Sequence, residues 1–311
     1  MKFQTLQPAG RPPRAKALGA AFCLLASLCL CAPHAPGRQR VVVAPEPRRA
    51  SRTLLGVALS QEVAGWLDEV ERGLGQEVYA EFAELDEASA EDDYTLGESY
   101  LTRAGVAVVR VDESFRGRGA AATEAVIGHE LLHLRLRARG YPLFLFSPEV
   151  MTRRGPAQDV EQSNVNDLVS LIEHRAFAAE MRRAGFEGLI DLTNGLAAAR
   201  ARRGAEDGQA ETLNYARAEL EWGDPRLVGE LARVHRANGW TRSLADGRRV
   251  ADIIRGSNLA APGDVAPVFL RCMSVLYGAE FRVEPDRRFA LARIHPQMLI
   301  HARRPAPRRR R

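Results

Sequence analysis

Along this chain, stretches in which apolar residues recur every three to four positions alternate with short runs in which they recur every two, and their order lays out the expected elements. Val63, Trp66, Leu67, Val70 and Leu74 share one face of a helix over residues 61–74. Val78, Ala80 and Phe82 then alternate with polar residues, and residues 105–111 (Gly-Val-Ala-Val-Val-Arg-Val) are a β-branched run; both read as strands, separated by an acidic loop over residues 84–93. Residues 106–111 fit an exposed edge strand and a buried central strand equally well.

From residue 120 the period returns to that of a helix. Ala121, Ala122, Ala125, Val126, Leu132 and Leu136 favour one up to residue 139, where Gly140-Tyr141-Pro142 supplies a glycine stop followed by proline. A further helix is expected over residues 159–181, with Val165, Leu168, Ile172, Ala176 and Ala179 at helical spacing. After Gly185 the pattern is mainly helical, near residues 210–222, 225–237, 243–255 and 265–277, with a polar loop at 204–208. Residues 281–283 and 289–294 suggest a small terminal hairpin. Strands first and helices afterwards make an α+β fold.

The ends of the chain differ from its body. Residues 1–16 carry Lys2, Arg11, Arg14 and Lys16 without an acid, and residues 17–32 are uninterrupted apolar and small residues. Sixteen residues fall short of the twenty or so that span a bilayer, so 1–32 reads as a secretory signal peptide or a short membrane anchor. This places the protein outside the cytoplasm, secreted or periplasmic, with an uncleaved leader as its route to membrane association. Residues 33–52 are a Pro/Arg-rich linker. Three of the 4 cysteines lie in the apolar run, so removal of the leader leaves Cys272 alone and excludes an internal disulfide. With 46% hydrophobic residues in 311, the fold can rest on a sizeable core, in one large domain or two.

Charge changes the picture of possible partners. Residues 1–52 carry +8 and the tail at 303–311 carries +6, so the total of +5 leaves residues 53–302 at −9. The basic pI of about 9.3 thus belongs to the ends, and an acidic body offers no nucleic-acid surface. The arginine-rich tail reads as a solvated end suited to anionic surfaces.

Within the helix at 120–139, residues 129–133 read His-Glu-Leu-Leu-His. Positions four apart on a helix differ by about 400° of rotation, so His129 and His133 project along nearly the same line and can hold one metal ion. Glu130 lies about 100° further round, placed to reach a water bound by the ion rather than the ion itself. Imidazoles suit Zn²⁺, which lowers the pKa of bound water from 15.7 towards about 7, and a neighbouring carboxylate can take the proton as the oxygen attacks a carbonyl.

This segment resembles the active-site helix of the zincin metallopeptidases. The metzincin extension requires Gly and His three and six residues after His133, where this chain has Leu136 and Arg139, so that branch is excluded. The remaining arrangement is similar to gluzincins, in which a glutamate of a later helix completes the site. Glu173 opens Glu-His-Arg-Ala-Phe-Ala-Ala, which resembles the Glu-x-x-Ala step around the third ligand of several gluzincins, including immunity-repressor-cleaving peptidases. The resemblance therefore implies Zn²⁺ held by His129, His133 and Glu173. His174 and Asp167 compete for the third place. His174 diverges from Glu173 by about 100°, so one of the two ligates and the other supports. Asp167, in Asn166-Asp-Leu-Val-Ser170, echoes the Asn-Glu-x-x-Ser of thermolysin-like enzymes, although Leu171 stands where that family's motif has an acid.

The expected organisation is a zincin-like core over residues 53–190, a mainly helical portion over 191–302, and the basic tail at 303–311. The expected function is a zinc-dependent metallopeptidase acting on peptide or protein substrates with Glu130 as general base and then proton donor. In zincins an edge strand pairs with the substrate backbone, a role open to residues 106–111. Tyr215, His235, Tyr277, His295 and His301 are all candidates for the oxyanion donor that zincins often supply from downstream. Two other readings stand beside this one. One is a metal-binding protein of the same fold that acts through partners in the cell envelope, and the other is hydrolysis of a non-peptide bond.

Overall fold

In the computed structural model a short ribbon of β1 (Thr53–Leu54) and β2 (Val57–Ala58) leads into α1 (Gln61–Leu74). The structure describes residues 52–85, 96–102, 104–146, 162–186, 207–221, 224–286 and 297–302, with 196, 199 and 200. The leader, almost all of the linker and the arginine-rich tail lie outside them. The Ser60 side chain accepts a hydrogen bond from the Val63 backbone N–H, and Gly75, at φ 70°, closes α1 in the left-handed conformation that glycine adopts without strain. The buried residues of α1 are the five apolar positions expected from the period.

The first sheet contains β3 (Val78–Ala83), β4 (Gly97–Leu101) and β5 (Ala107–Asp112) in the order β3-β5-β4. β5 runs parallel to β3 and antiparallel to β4. The β-branched run is therefore the buried central strand and not the edge, with Ala107, Val109 and Val111 fully buried. The edges are β3 and β4, and the outer side of β4 pairs with no strand among the described residues. Gly-Glu-Ser-Tyr-Leu carries too few apolar residues to announce a strand, so β4 is visible only through its pairing with β5.

After a 3₁₀ turn (Glu113–Gly117), α2 (Ala120–Ala138) passes between α1, the sheet and α3 (Gln162–Arg183). Its buried positions go round the helix, from Val126 and Ile127 through Glu130, Leu131 and Leu132 to Leu134 and Leu136. Small residues permit the close approaches. A Cβ on Gly73 of α1 would lie 2.8 Å from Ala138 Cβ, and one on Gly128 would lie 2.6 Å from the Phe186 ring.

Past Tyr141-Pro142 the chain forms β6 (Leu143–Phe146), which joins a second sheet ordered β6-β8-β7, with β7 (Phe281–Pro285) and β8 (Gln297–Ala302). β6 is parallel to β8, and β8 is antiparallel to β7. The partner of β7 is thus residues 297–302, while the expected hairpin strand at 289–294 lies outside the described residues. The helical portion supplies α4 (Gln209–Glu221), α5 (Pro225–Ala237), α6 (Thr241–Arg255) and α7 (Val265–Tyr277), close to the stretches read from the period.

Leu213, Ala216, Val250, Phe269, Cys272 and Met273 from these helices belong to the same buried cluster as α1, α2 and β5. A smaller cluster gathers Tyr215, Ala218, Leu231, Trp240 and Leu244. Ala50–Arg311 form one compact unit, mixed α+β with small sheets and a helical C-terminal region. Burial pushes the Cys272 thiol up to about 12, which keeps it protonated and inert at neutral pH.

The crossing of α4 and α6 has a local requirement. A Cβ on Gly247 would lie 2.8 Å from the Thr212 carbonyl oxygen and 3.1 Å from Tyr215 Cβ, both parts of a packed neighbour. Gly247→Ala is expected to cost about 1–3 kcal/mol, read as a lower urea midpoint at unchanged slope. Gly229→Ala, in α5 with nothing within 4 Å of the added carbon, is expected to stabilise by about 1 kcal/mol.

Candidate metal centre

His129 and His133 are one turn apart on α2, and their Nε2 atoms lie 3.2 Å from each other. Two nitrogens each about 2.0–2.1 Å from a tetrahedral zinc stand about 3.3 Å apart, so this pair has the spacing of two ligands on one ion. The third member of the group is His174 of α3. Its ring centroid is 4.8 Å from that of His129 and 5.2 Å from that of His133. One nitrogen from each imidazole falls within 4.8 Å of the others, and these three histidines could hold a metal ion. Phe177, one turn past Glu173 on α3, packs its ring against all three.

Two of the imidazoles, His129 and His133, are held towards the neutral form. Burial holds His129 well below the ordinary histidine value, and the two neighbouring rings add to the effect. Burial also lowers His133, against the opposing pull of Glu173. An uncharged imidazole has one N–H and one lone pair, and its hydrogen bonds decide which nitrogen has which. His133 Nδ1 lies 2.7 Å from Glu173 Oε2, and His174 Nδ1 lies 2.7 Å from Glu221 Oε1. A carboxylate only accepts, so each Nδ1 carries the proton; His133 Nε2 then faces His129, and His174 Nε2 lies 3.2 Å from Ser170 Oγ, whose hydroxyl can donate to it.

Glu173 is therefore placed behind His133, not in the group of three. Its other oxygen is paired with the Arg137 guanidinium, and its side chain is 4% exposed. Burial works against its charge, but Arg137 and His133 outweigh that and hold the carboxyl below its ordinary value. Asp167 stands aside as well, paired with Arg217 of α4 at 3.3 Å. The sequence favours Glu173 as the third ligand with His174 and Asp167 as competitors; in the structure His174 is the one that falls in the group of three, while Glu173 lies between His133 Nδ1 and Arg137.

Glu130 is buried on the same helix face as the sheet. A Cβ on Gly97 of β4 would lie 2.6 Å from Val126 Cγ1 and 3.1 Å from Glu130 Cγ, so glycine lets the edge strand lie against the carboxylate. Burial pushes Glu130 up to about 8, a hydrogen bond with Ser99 opposes the rise, and Glu98 and Glu173 add to it. His129, Glu130, His133 and His174 open into a cleft of about 660 Å³, walled by β4 on one side and by residues of α3 and α4 on the other.

Of the oxyanion candidates, Tyr215, His235, Tyr277 and His301 do not line this cleft, and His295 lies outside the described residues. Tyr215 and His235 pack instead with Trp240 in the smaller cluster. The cations that do line it are Arg137 and Arg217, neither anticipated from sequence. Arg137 was findable, since it lies one turn past His133 on the same face; Arg217 and Glu221 were not, because no periodicity on α4 marks a polar contact to a helix more than forty residues earlier.

No family model matches this chain, and neither the curated proteins nor the solved structures contain a match to it.

One zinc per chain is expected by elemental analysis after saturation and dialysis. His174→Ala is expected to weaken zinc binding by about 100-fold or more, while Asp167→Asn leaves it within about twofold. Equal retention by the His174 variant would remove that residue from the site.

Proposed function

We propose that this chain is a zinc-dependent metallopeptidase of zincin type, acting outside the cytoplasm, with His129, His133 and His174 as ligands and Glu173 supporting His133. The observation that supports this most directly is the position of Glu130, a buried carboxyl that lines the same cleft as the three imidazoles. When bound, a divalent cation there supplies a Lewis acid and a lowered pKa for water. It also opposes the rise in the Glu130 pKa that burial produces.

The residues of the chain divide the remaining work. Glu130 accepts the proton of the attacking water on a carboxylate oxygen and returns it to the nitrogen of the departing amine. Ser99 and the close contact at Gly97 hold that carboxylate in place. Arg137 keeps Glu173 ionised, so the His133 tautomer stays fixed through the cycle. An extended peptide can add to the outer side of β4 by backbone hydrogen bonds, which brings a carbonyl along the wall of the cleft beside Glu130.

A role limited to holding metal or a partner leaves Glu130 without a purpose. Burying a carboxyl is costly, and none of the three imidazoles uses it as a hydrogen-bond partner. The extracytoplasmic placement rests on the apolar run at residues 17–32; no helix among the described residues is long and apolar enough to cross a membrane.

Digestion of a broad peptide library by zinc-loaded protein tests the proposal. Glu130→Gln is expected to reduce turnover by about 10²–10⁴-fold with zinc content unchanged. Identical product sets from parent and variant would show that Glu130 is not the base, and no cleavage by the parent would leave only metal binding.

A further inference from the structure

The third imidazole is held from outside the segment that contains the ligands. Glu221 is the last residue of α4, 47 positions beyond His174 in sequence, and its carboxylate reaches His174 Nδ1 at 2.7 Å with only 7% of its side chain exposed. Arg217, one turn earlier on α4, lies 3.8 Å from Glu221 Oε2 and 3.3 Å from Asp167 of α3. The two residues therefore bind α4 to α3 at two points, His174 and Asp167. α4 is itself anchored on both flanks, through Leu213 and Ala216 in the main core and Tyr215 and Ala218 in the smaller cluster.

The supports of the three imidazoles are unequal. His133 is backed by Glu173 and His174 by Glu221, whereas His129 Nδ1 is buried without a hydrogen-bond partner among the described residues. Glu173 belongs to the same helix as His174, but Glu221 comes from the helical portion. We propose that Glu221 is a positioning residue for the bound ion. It keeps the proton of His174 on Nδ1, so that the lone pair is on Nε2, which Ser170 Oγ approaches at 3.2 Å, and it makes α4 a working part of the metal centre. This inference rests on the three-imidazole reading above.

The test compares zinc affinity, by chelator competition, in the parent, Glu221→Ala, Glu221→Gln and Glu219→Gln. Glu221→Ala is expected to bind about 100-fold more weakly, and Glu221→Gln about tenfold, since its amide oxygen still accepts from Nδ1 but carries no charge. Glu219 faces away from the site, hydrogen-bonded to Tyr215 at 3.0 Å and paired with Arg255, and its substitution is expected to leave affinity within twofold. A merely structural role for Glu221 would lower the melting temperature of metal-free protein without this graded loss of affinity. Affinity of Glu221→Ala within twofold of the parent overturns the inference.

If His174→Ala loses zinc while Glu221→Ala does not, the centre stands and only the positioning role falls. If the parent binds no zinc, both fall. Imidazole ¹⁵N spectra of the zinc-loaded parent supply a test that needs no α4 variant: His174 is expected to show a protonated Nδ1 and a ligating Nε2, and the opposite assignment overturns the proposal.

Discussion

Three imidazoles whose ring centroids lie 4.8 to 5.2 Å apart in a largely buried corner cannot all carry charge, because like charges at that range repel strongly where water is scarce. Limiting that charge is the constraint from which the surrounding arrangement follows. A neutral ring must have its proton directed, and Glu173 and Glu221 direct two of them by accepting at Nδ1. Buried carboxylates in turn need cations, and Arg137 and Arg217 provide them. Imidazole, carboxylate and guanidinium thus form successive layers around three histidines that could hold a metal ion.

The same helix carries the chemistry and the core. Between His129 and His133 stand Leu131 and Leu132, both at most 1% exposed, and Leu134 follows at 1%. α2 therefore has no solvent face on which a polar site could be displaced without disturbing the packing. Its neighbours can come close only because glycine stands at the contacts: Gly73 against Ala138, Gly128 against Phe186, and Gly97 against Val126 and Glu130. The last of these joins β4, Glu130 and α2 in one contact, so the geometry of the cleft is a consequence of close packing.

The helical C-terminal portion is part of the same body. α7 and the ends of α4 and α6 complete the core that α1, α2 and β5 begin, and β8 inserts beside β6 directly after the metal helix. Residues distant in sequence therefore control the orientation of His174 and the wall of the cleft. This is why an element with an unremarkable helical pattern contributes Arg217 and Glu221 to a cleft otherwise lined from residues 96–174.

The sequence by itself determined the buried face of α1, the extent of the helices at 225–237 and 265–277, and the pairing of His129 with His133, because each depends on a local period that side-chain chemistry reveals directly. It also narrowed the third imidazole partner to a few positions on the next helix, since a metal site needs a donor there. Only the tertiary structure groups His174 with His129 and His133 and sets Glu173 between His133 and Arg137, because neighbours on a helix diverge by about 100°. The edge strand β4, the parallel pairing of β6 with β8, and the reach of Glu221 to His174 were likewise decided by contacts across long sequence separations. Those contacts leave no periodic trace in the chain, since each is a meeting of single residues brought together by packing.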